Sequence, residues 1–227
     1  MLLRLVLAIG LLAGTGYARA QPFQVLDTNS LLNQLFDADD NRAQDTQVTI
    51  NYQNMASKAH PDHDNAPNPL FTLVDATLLS GPTYASFNNL VATFTIPDSD
   101  QDDPMTSARQ AAASDFIEKI STTKAYTIAW TYLQDYGHVS QDPTVFKQQL
   151  SALWFTPYAR GQATGSSGFE SVFVGETQAN SIIRGNNWLG FYLKEKDAAV
   201  DYHGWFTRNK VGLHTNVQVL IRWNTTK

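Results

Sequence analysis

The sequence predicts an α+β protein in which a helical lobe, about residues 21–160, precedes a β-rich lobe, about residues 161–227. Apolar residues recur at helical spacing through the middle of the chain, whereas period-two alternation appears only after residue 160. Helices followed by strands, without regular alternation of the two, favour α+β over a doubly wound sheet. With 227 residues, 43% of them hydrophobic, the chain can form one large domain or two small lobes.

The first 20 residues have the order of a secretory signal peptide. Arg4 precedes an apolar run from Leu5 to Leu12, and small residues lead to Ala20, after which we expect cleavage. The run is shorter than the roughly 20 residues that a membrane span needs. The sequence therefore predicts a secreted mature protein of residues 21–227 that is not membrane-bound, with an uncleaved anchor as the alternative.

The chain contains no cysteine, so thiol catalysis and thiolate metal sites are excluded. Stability must come from the packed core.

The first lobe begins with a predicted short helix and a short strand. The helix carries an apolar pattern at Leu31, Leu32, Leu35 and Phe36, and the strand alternates at Val48, Ile50 and Tyr52. Residues 55–69 and 97–104 are rich in Pro, Asp, Asn and Ser, which is typical of loops.

Three further helices are predicted in the middle of the chain. Asp103 and Pro104 suit the N-cap and the first position of one helix, and Asp142 with Pro143 repeats that signal before another. Between them, residues 124–136 have helical spacing. The apolar stripes of the three helices comprise Phe116, Ile117 and Ile120, then Ile128, Tyr132 and Leu133, then Phe146, Leu150 and Leu153.

The second lobe carries two period-two segments, which predict strands. In one, Leu189, Phe191 and Leu193 alternate with their neighbours, and the other covers residues 217–223.

Charge divides unevenly between the lobes. The mature chain has a net charge of −7, a poor overall charge for binding nucleic acid, but residues 161–227 carry 7 basic and 5 acidic groups. This distribution is compatible with a basic face that meets phosphate, and equally with chance clustering of solvated side chains.

Residues 165–176 read GSSGFESVFVGE. This segment closely resembles the signature of the EndoU-like (poly(U)-specific) endoribonuclease family, in which a histidine follows the Phe-Glu pair. Asn186-Asn187-Trp188 and the residues after it are similar to the family's His-Asn-Trp block. The resemblance runs from about Leu31 to Lys227, and it implies an EndoU-like domain over residues 21–227.

Members of this family cleave RNA, often 3′ of uridines, and leave a 2′,3′-cyclic phosphate; many depend on manganese. The resemblance thus implies single-stranded, uridine-containing RNA as the partner and manganese as a cofactor. We expect no DNA binding and a monomer.

The catalytic positions depart from the family pattern. Ser171 and Asn186 occupy the two histidine positions, and Lys227 matches the catalytic lysine, although one position early and without the family's preceding glycine. Serine and asparagine donate hydrogen bonds but do not exchange protons usefully near pH 7. We therefore predict impaired endoribonuclease activity, with a non-catalytic secreted RNA-binding or interaction module as the alternative.

The family normally continues past the lysine with a segment containing Ser-Pro-Glu-Phe-Glu, which is missing here. The expectation is a C-terminally incomplete domain, either because the sequence is a fragment or because part of the catalytic lobe has been lost.

Several other side chains are candidates for RNA or metal binding. Basic groups of the second lobe predict phosphate contacts: Arg184, Lys194, Lys196 and Arg222. Glu170 and Glu176 match acidic family positions linked to metal dependence, or else they pin the turn through backbone amides.

The five histidines offer weaker alternatives. His60 and His63 alternate with aspartates in a loop and could hold a divalent ion. His203 is expected to make a structural hydrogen bond, His138 and His214 to be exposed, and His203 or His214 to be an alternative position for a displaced catalytic histidine.

Overall fold

The computed structural model describes residues 28–57, 59–60, 63–94, 104–158, 165–178, 181–184, 187–211 and 214–223, with the backbone alone for 177–184 and 207–223. It is an α+β protein, as the sequence predicts. The chain divides into two compact units: the first takes residues 1–42, 82–93 and 105–156, and the second takes 43–81, 94–104 and 157–227.

Five helices make up the described part of the first unit. They are α1 (Thr28–Asp37), α3 (Pro82–Val91), α4 (Ser107–Ser121), α5 (Lys124–Asp135) and α6 (Pro143–Phe155). In the second unit, α2 (Ala76–Ser80) and α7 (Trp188–Lys196) accompany three antiparallel strand pairs. These pair β1 (Val48–Ile50) with β2 (Phe71–Val74), β3 (Glu176–Gln178) with β4 (Ser181–Arg184), and β5 (Val200–Val211) with β6 (His214–Trp223).

Side-chain caps fix where the helices of the first unit begin. The Thr123 hydroxyl accepts from the Tyr126 amide at the start of α5, and Asp142 caps α6 through Thr144, with Pro143 at the first position as predicted. For α4 the predicted start is wrong: the N-cap is Thr106, whose hydroxyl accepts from the Arg109 amide at 3.2 Å. Thr106 takes the extended backbone conformation of a cap, so the helix begins three residues beyond Pro104.

Aromatic side chains form the core of the first unit. Phe87 and Phe116 meet edge to face with ring centroids 5.9 Å apart, and Trp130 stacks on Phe146 at the same distance. Both Phe87 and Phe116 are fully buried, which accounts for the packing of α3 on α4. None of the helices in the described part of the chain is long and apolar enough to cross a membrane.

The core of the second unit joins segments that are far apart in sequence. Tyr202 of β5 is completely buried, and its hydroxyl donates to the Tyr52 carbonyl at 2.7 Å, while Phe71 of β2 packs in the same cluster. Residues 43–81 thus belong with the strands near the end of the chain, although they precede most of the helices of the first unit.

The strand predicted around Leu189–Leu193 is wrong, because this segment is helix α7. The Asn187 side chain accepts from the Gly190 amide at 2.8 Å and caps the helix. Trp188, Phe191 and Tyr192, at the spacing of one helical face, all place their rings within 6.0 Å of Phe71. Residues 188–193 are apolar at nearly every position, so every second residue is apolar whether the segment is a strand or a helix. The alternation therefore did not distinguish the two.

Candidate active site

The residues of the signature segment fold into a π turn at Glu170–Val174. The Gly175 amide donates to the Glu170 carbonyl at 2.8 Å, the wide i to i+5 bond of a π-helix. The turn ends at Gly175, whose φ of 97° is a conformation that favours glycine. Single π turns occur frequently at functional sites, and this one presents Ser171 and Glu170 from adjacent positions.

Aromatic side chains pack against one another around the π turn. Phe169 is completely buried, and its ring centroid lies 5.0 Å from that of Phe173 and 5.7 Å from that of Phe94. These ring contacts anchor the π turn in the core of the second unit.

Ser171, at the first expected histidine position, is buried and lies inside a hydrogen-bonded network. Its hydroxyl donates to Glu176 Oε1 at 2.7 Å, and the Tyr158 hydroxyl lies 2.9 Å from Ser171 Oγ. The Ser166 hydroxyl also donates to Glu176 Oε1. Tyr158, Ser171 and Glu176 therefore form a continuous chain of hydrogen bonds.

Glu170 makes a second, reciprocal arrangement with Ser167. Glu170 Oε2 accepts from the Ser167 amide at 2.6 Å, and Ser167 Oγ accepts from the Glu170 amide at 3.3 Å. This pattern resembles a capping box, which satisfies amides at the start of a helical turn. The contacts support the structural reading of Glu170.

The described residues around this turn do not fit a divalent metal. Glu170 and Glu176 are almost completely buried; the Glu170 carboxylate accepts from the Ser167 amide and that of Glu176 from the Ser171 hydroxyl. Across the part of the chain that the structure describes, no group of three His, Asp or Glu side chains is placed to hold an ion. That includes His60 and His63, which lie in the loop before β2.

The second expected histidine position directly precedes Asn187 in the sequence. Asn186 is outside the described residues, whereas its neighbour Asn187 is buried and caps the helix. A Cβ at Gly190 would come within 2.5 Å of the Phe173 carbonyl oxygen, so the absence of a side chain lets α7 pack directly on the π turn. The chain thus brings Asn187 and Ser171 into two packed elements of one unit.

Two of the four predicted phosphate ligands have described side chains, and both lie near the end of α7. Lys196 is exposed, whereas Lys194 is half-buried and burial lowers its pKa from 10.5 to about 8. Arg184 is on β4, and Arg222 is on β6, where its backbone lies opposite that of Asp201 on β5. The side chains of Arg184 and Arg222, and the whole of Lys227, are outside the described part of the chain.

His203 takes a structural position on β5. It is buried, and its Nε2 lies 3.2 Å from the Asp201 carboxylate. The neighbouring Gly204 has a φ of 118°, and a Cβ there would lie 2.7 Å from the Asn54 carbonyl oxygen. His138 is exposed, as expected, and the side chain of His214 lies outside the described residues.

The sequence did not identify Tyr158 or Ser166 as members of the site. Backbone contacts bring the two residues together: Pro157 forms a β-bridge with Ser167, and the Tyr158 amide donates to the Ser166 carbonyl oxygen at 3.4 Å. The signature segment contains Glu170 and Ser171, which lie in the π turn, and Glu176, which begins β3 just after it.

Comparisons with known proteins identify the family of the chain. Residues 27–227 match the sequence profile of the family described as Endoribonuclease XendoU. The chain is 35% identical over 191 residues to the Poly(U)-specific endoribonuclease of Xenopus tropicalis, covering 80% of this chain and 65% of that protein. It is 34% identical over 181 residues to the Uridylate-specific endoribonuclease of Homo sapiens, covering 78% of this chain and 43% of that protein.

The fold agrees as well. A solved structure of XendoU, described as a splicing-independent snoRNA processing endoribonuclease, matches with a TM-score of 0.68 at 29% sequence identity, covering 92% of this chain and 78% of that one. The chain spans less than half the length of the human relative, 43%, and about two thirds of the Xenopus tropicalis one, 65%. On the family profile, the relatives and the shared fold together, this chain belongs to the XendoU endoribonuclease family.

Proposed function

We propose that this protein binds single-stranded, uridine-containing RNA and cleaves it slowly, by attack of a ribose 2′-hydroxyl on the adjacent phosphate. The products of that reaction are a 2′,3′-cyclic phosphate and a 5′-hydroxyl. Membership of the family supports the reaction class, and the relatives named for uridylate and poly(U) specificity support the choice of base.

We expect cleavage to be slow because position 171 carries a serine hydroxyl in place of an imidazole. Cleavage needs a base for the 2′-hydroxyl proton and an acid for the leaving 5′-oxygen, and imidazoles suit both roles because they titrate near neutral pH. The Ser171 hydroxyl instead donates a hydrogen bond to Glu176 Oε1 at 2.7 Å. The loss of one general acid or base costs about 10²–10⁴ in rate, and the loss of a second costs less than the product because the two act as a unit.

Support for RNA binding comes from the charge of the last part of the chain. Residues 161–227 carry a net charge of +2 against −9 for residues 21–160, and Lys196 is exposed at the end of α7. Contacts to phosphate release counterions, so affinity should fall as salt rises. We expect weak binding with a shallow salt slope, because few basic side chains are available.

Titration of labelled oligouridine with the protein at low and moderate salt, together with chromatography of the products, tests the proposal. The expected result is salt-sensitive binding with slow formation of cyclic phosphate, and oligoadenylate and duplex DNA serve as matched controls. Absence of binding at low salt would contradict the function.

A non-catalytic, secreted RNA-binding or interaction module is the second candidate. The burial of Ser171 within hydrogen bonds to Tyr158 and Glu176 favours it, because nothing at that position exchanges a proton near neutral pH. Binding to oligouridine without cyclic phosphate above the buffer background would select this candidate.

Manganese dependence rests on the family resemblance alone. The carboxylates of Glu170 and Glu176 accept hydrogen bonds from protein donors, so the proposed cleavage uses no metal. Assays with added Mn²⁺ and with a chelator belong in the same series, and equal rates in the two are expected from this site.

We also propose that the protein is exported and acts as a monomer. The order of basic, apolar and small residues before Gln21 supports export. Amino-terminal sequencing of exported material should begin at Gln21, and light scattering should give the mass of one chain. A retained Met1 would contradict export by this route.

A further inference from the structure

We propose that a groove between helices α1 and α5 binds an organic cation whose charged group is an alkylated ammonium. The groove has a volume of about 410 Å³, and both helices belong to the first unit. The signature turn belongs to the second unit, so the groove is separate from the site proposed for RNA. The inference therefore goes beyond the proposed function and does not depend on it.

Two tyrosine rings line the groove where α5 ends. Tyr132 and Tyr136 are one helical turn apart, their ring centroids lie 4.8 Å apart, and their planes are inclined by 51°. Tyr136 is 40% exposed, so a solute can reach its ring. The face of a tyrosine ring attracts a cation that lies within about 6 Å of the ring centroid. Two rings inclined to each other can contact different sides of one rounded cation.

The charge of the groove is negative. Asp135, an exposed residue, lies between the two tyrosines in the sequence and lines the groove with them. Within the described part of the chain, its carboxylate has no hydrogen-bond or ion-pair partner. None of the described lining residues is basic. The groove therefore attracts a cation and repels the phosphates of RNA.

The walls of the groove favour an alkylated ammonium over a metal ion. A bound calcium ion takes 6–8 oxygen ligands, whereas Asp135 is the only carboxylate among the described lining residues. Leu31 and Ile128 add apolar surface to the walls. Methyl groups on an ammonium nitrogen can bury against that surface while the charge lies near the carboxylate and the rings.

Choline is the probe, because it carries a trimethylammonium group and no negative charge. Titration of the protein with choline, followed by ligand-observed NMR, should show saturable binding with a Kd on the order of 1 mM, as suits so small a ligand. The neutral alcohol in which carbon replaces the choline nitrogen is the matched ligand, since it keeps the shape and removes the charge. We expect it to bind at least about 5-fold more weakly.

Two variants test the groups that would hold the cation. Asp135→Asn removes the charge and Tyr136→Leu removes the ring, and each should weaken choline binding by about 5-fold. Asp115→Asn is the matched control, because Asp115 is a half-exposed carboxylate on α4 that pairs with Lys119 outside the groove; it should leave the affinity unchanged. Thermal melting establishes that each variant is folded.

Vesicles of phosphatidylcholine separate two sources of the same chemical group. Binding of free choline without co-sedimentation with vesicles identifies a small solute as the ligand, whereas co-sedimentation that Asp135→Asn abolishes identifies a lipid headgroup. The site is overturned if neither choline nor the vesicles bind, or if the neutral alcohol binds as tightly as choline. Equal choline affinity in the wild type, Asp135→Asn and Tyr136→Leu would also overturn it.

Discussion

Helix α7 passes the π turn so closely that a Cβ at Gly190 would lie 2.5 Å from the carbonyl oxygen of Phe173. That oxygen belongs to the backbone, so it cannot swing aside as a flexible side chain could. Glycine inside a helix costs about 0.5–1 kcal/mol relative to alanine. The close approach therefore accounts for the glycine, and it seats the capped end of α7 beside the turn that carries Ser171.

Replacing Gly190 with alanine should destabilise the protein despite the better helix propensity of alanine. We expect a loss of about 1–3 kcal/mol in the free energy of unfolding, because the added methyl group overpacks the contact with Phe173. Urea denaturation followed by circular dichroism measures it. Lys196→Ala on the same helix is the control, and its exposed position should limit the change to about 0.5 kcal/mol. A Gly190→Ala protein more stable than the wild type would show that α7 can move away from the turn.

Glu195 ties the end of α7 to strand β2. Its Oε1 accepts from the Leu70 amide at 2.7 Å and its Oε2 from the Phe71 amide at 3.2 Å. In Glu195→Gln one of the two acceptors becomes an NH₂ group that faces an amide donor, so we expect a loss of about 1–3 kcal/mol. Glu118→Gln is the control, because Glu118 is 61% exposed in its ion pair with Lys147 and such pairs contribute about 0–1 kcal/mol. Equal effects of the two substitutions, by urea denaturation, would contradict the role of Glu195.

Lys194 should make the protein more stable as the pH rises above 8. Burial lowers its pKa from 10.5 to about 8, so between these values the unfolded chain binds a proton that the folded chain has released. Stability therefore increases with pH through this window. Burial raises the pKa of Tyr84, Tyr126 and Tyr202 to about 12, and ionisation of tyrosine in the unfolded chain reverses the trend above about pH 10.

Urea denaturation at several pH values between 8 and 9.5 tests this dependence. Lys194→Met should flatten the rise in stability, whereas Lys196→Met, at an exposed position on the same helix, should leave it unchanged. A rise that survives Lys194→Met would assign the effect to another group. The same loss of charge should weaken binding to oligouridine above pH 8 in the wild type but not in Lys194→Met.

Local signals predicted the helices of the first unit because those signals act over a few residues. Asp142 and Pro143 start α6 through contacts within one turn, so the sequence contains everything that determines the start. The α7 segment packs on Phe71, which is distant in sequence. Because the segment is almost uniformly apolar, its hydrophobic pattern could not show that it is a helix. The site divides in the same way. The signature places Ser171 and Glu176 five residues apart, whereas the contact between Tyr158 and Ser171 joins residues 13 apart and carries no local signal.

The last prediction concerns the repair of the two histidine positions. Ser171→His and Asn186→His would each restore a group that exchanges protons near neutral pH. We expect either substitution alone to change cleavage by less than about 10-fold, because the general acid and base act as a unit. Together they should raise cyclic phosphate formation by about 10²–10⁴ over the single variants.

Ser171→Asn combined with Asn186→His is the matched control, because it places a larger side chain at position 171 without proton exchange. The repaired protein should also acquire a bell-shaped dependence of rate on pH, which reports an acid and a base titrating in the same range. A wild type as fast as the double variant would show that Ser171 and Asn186 do not limit the reaction.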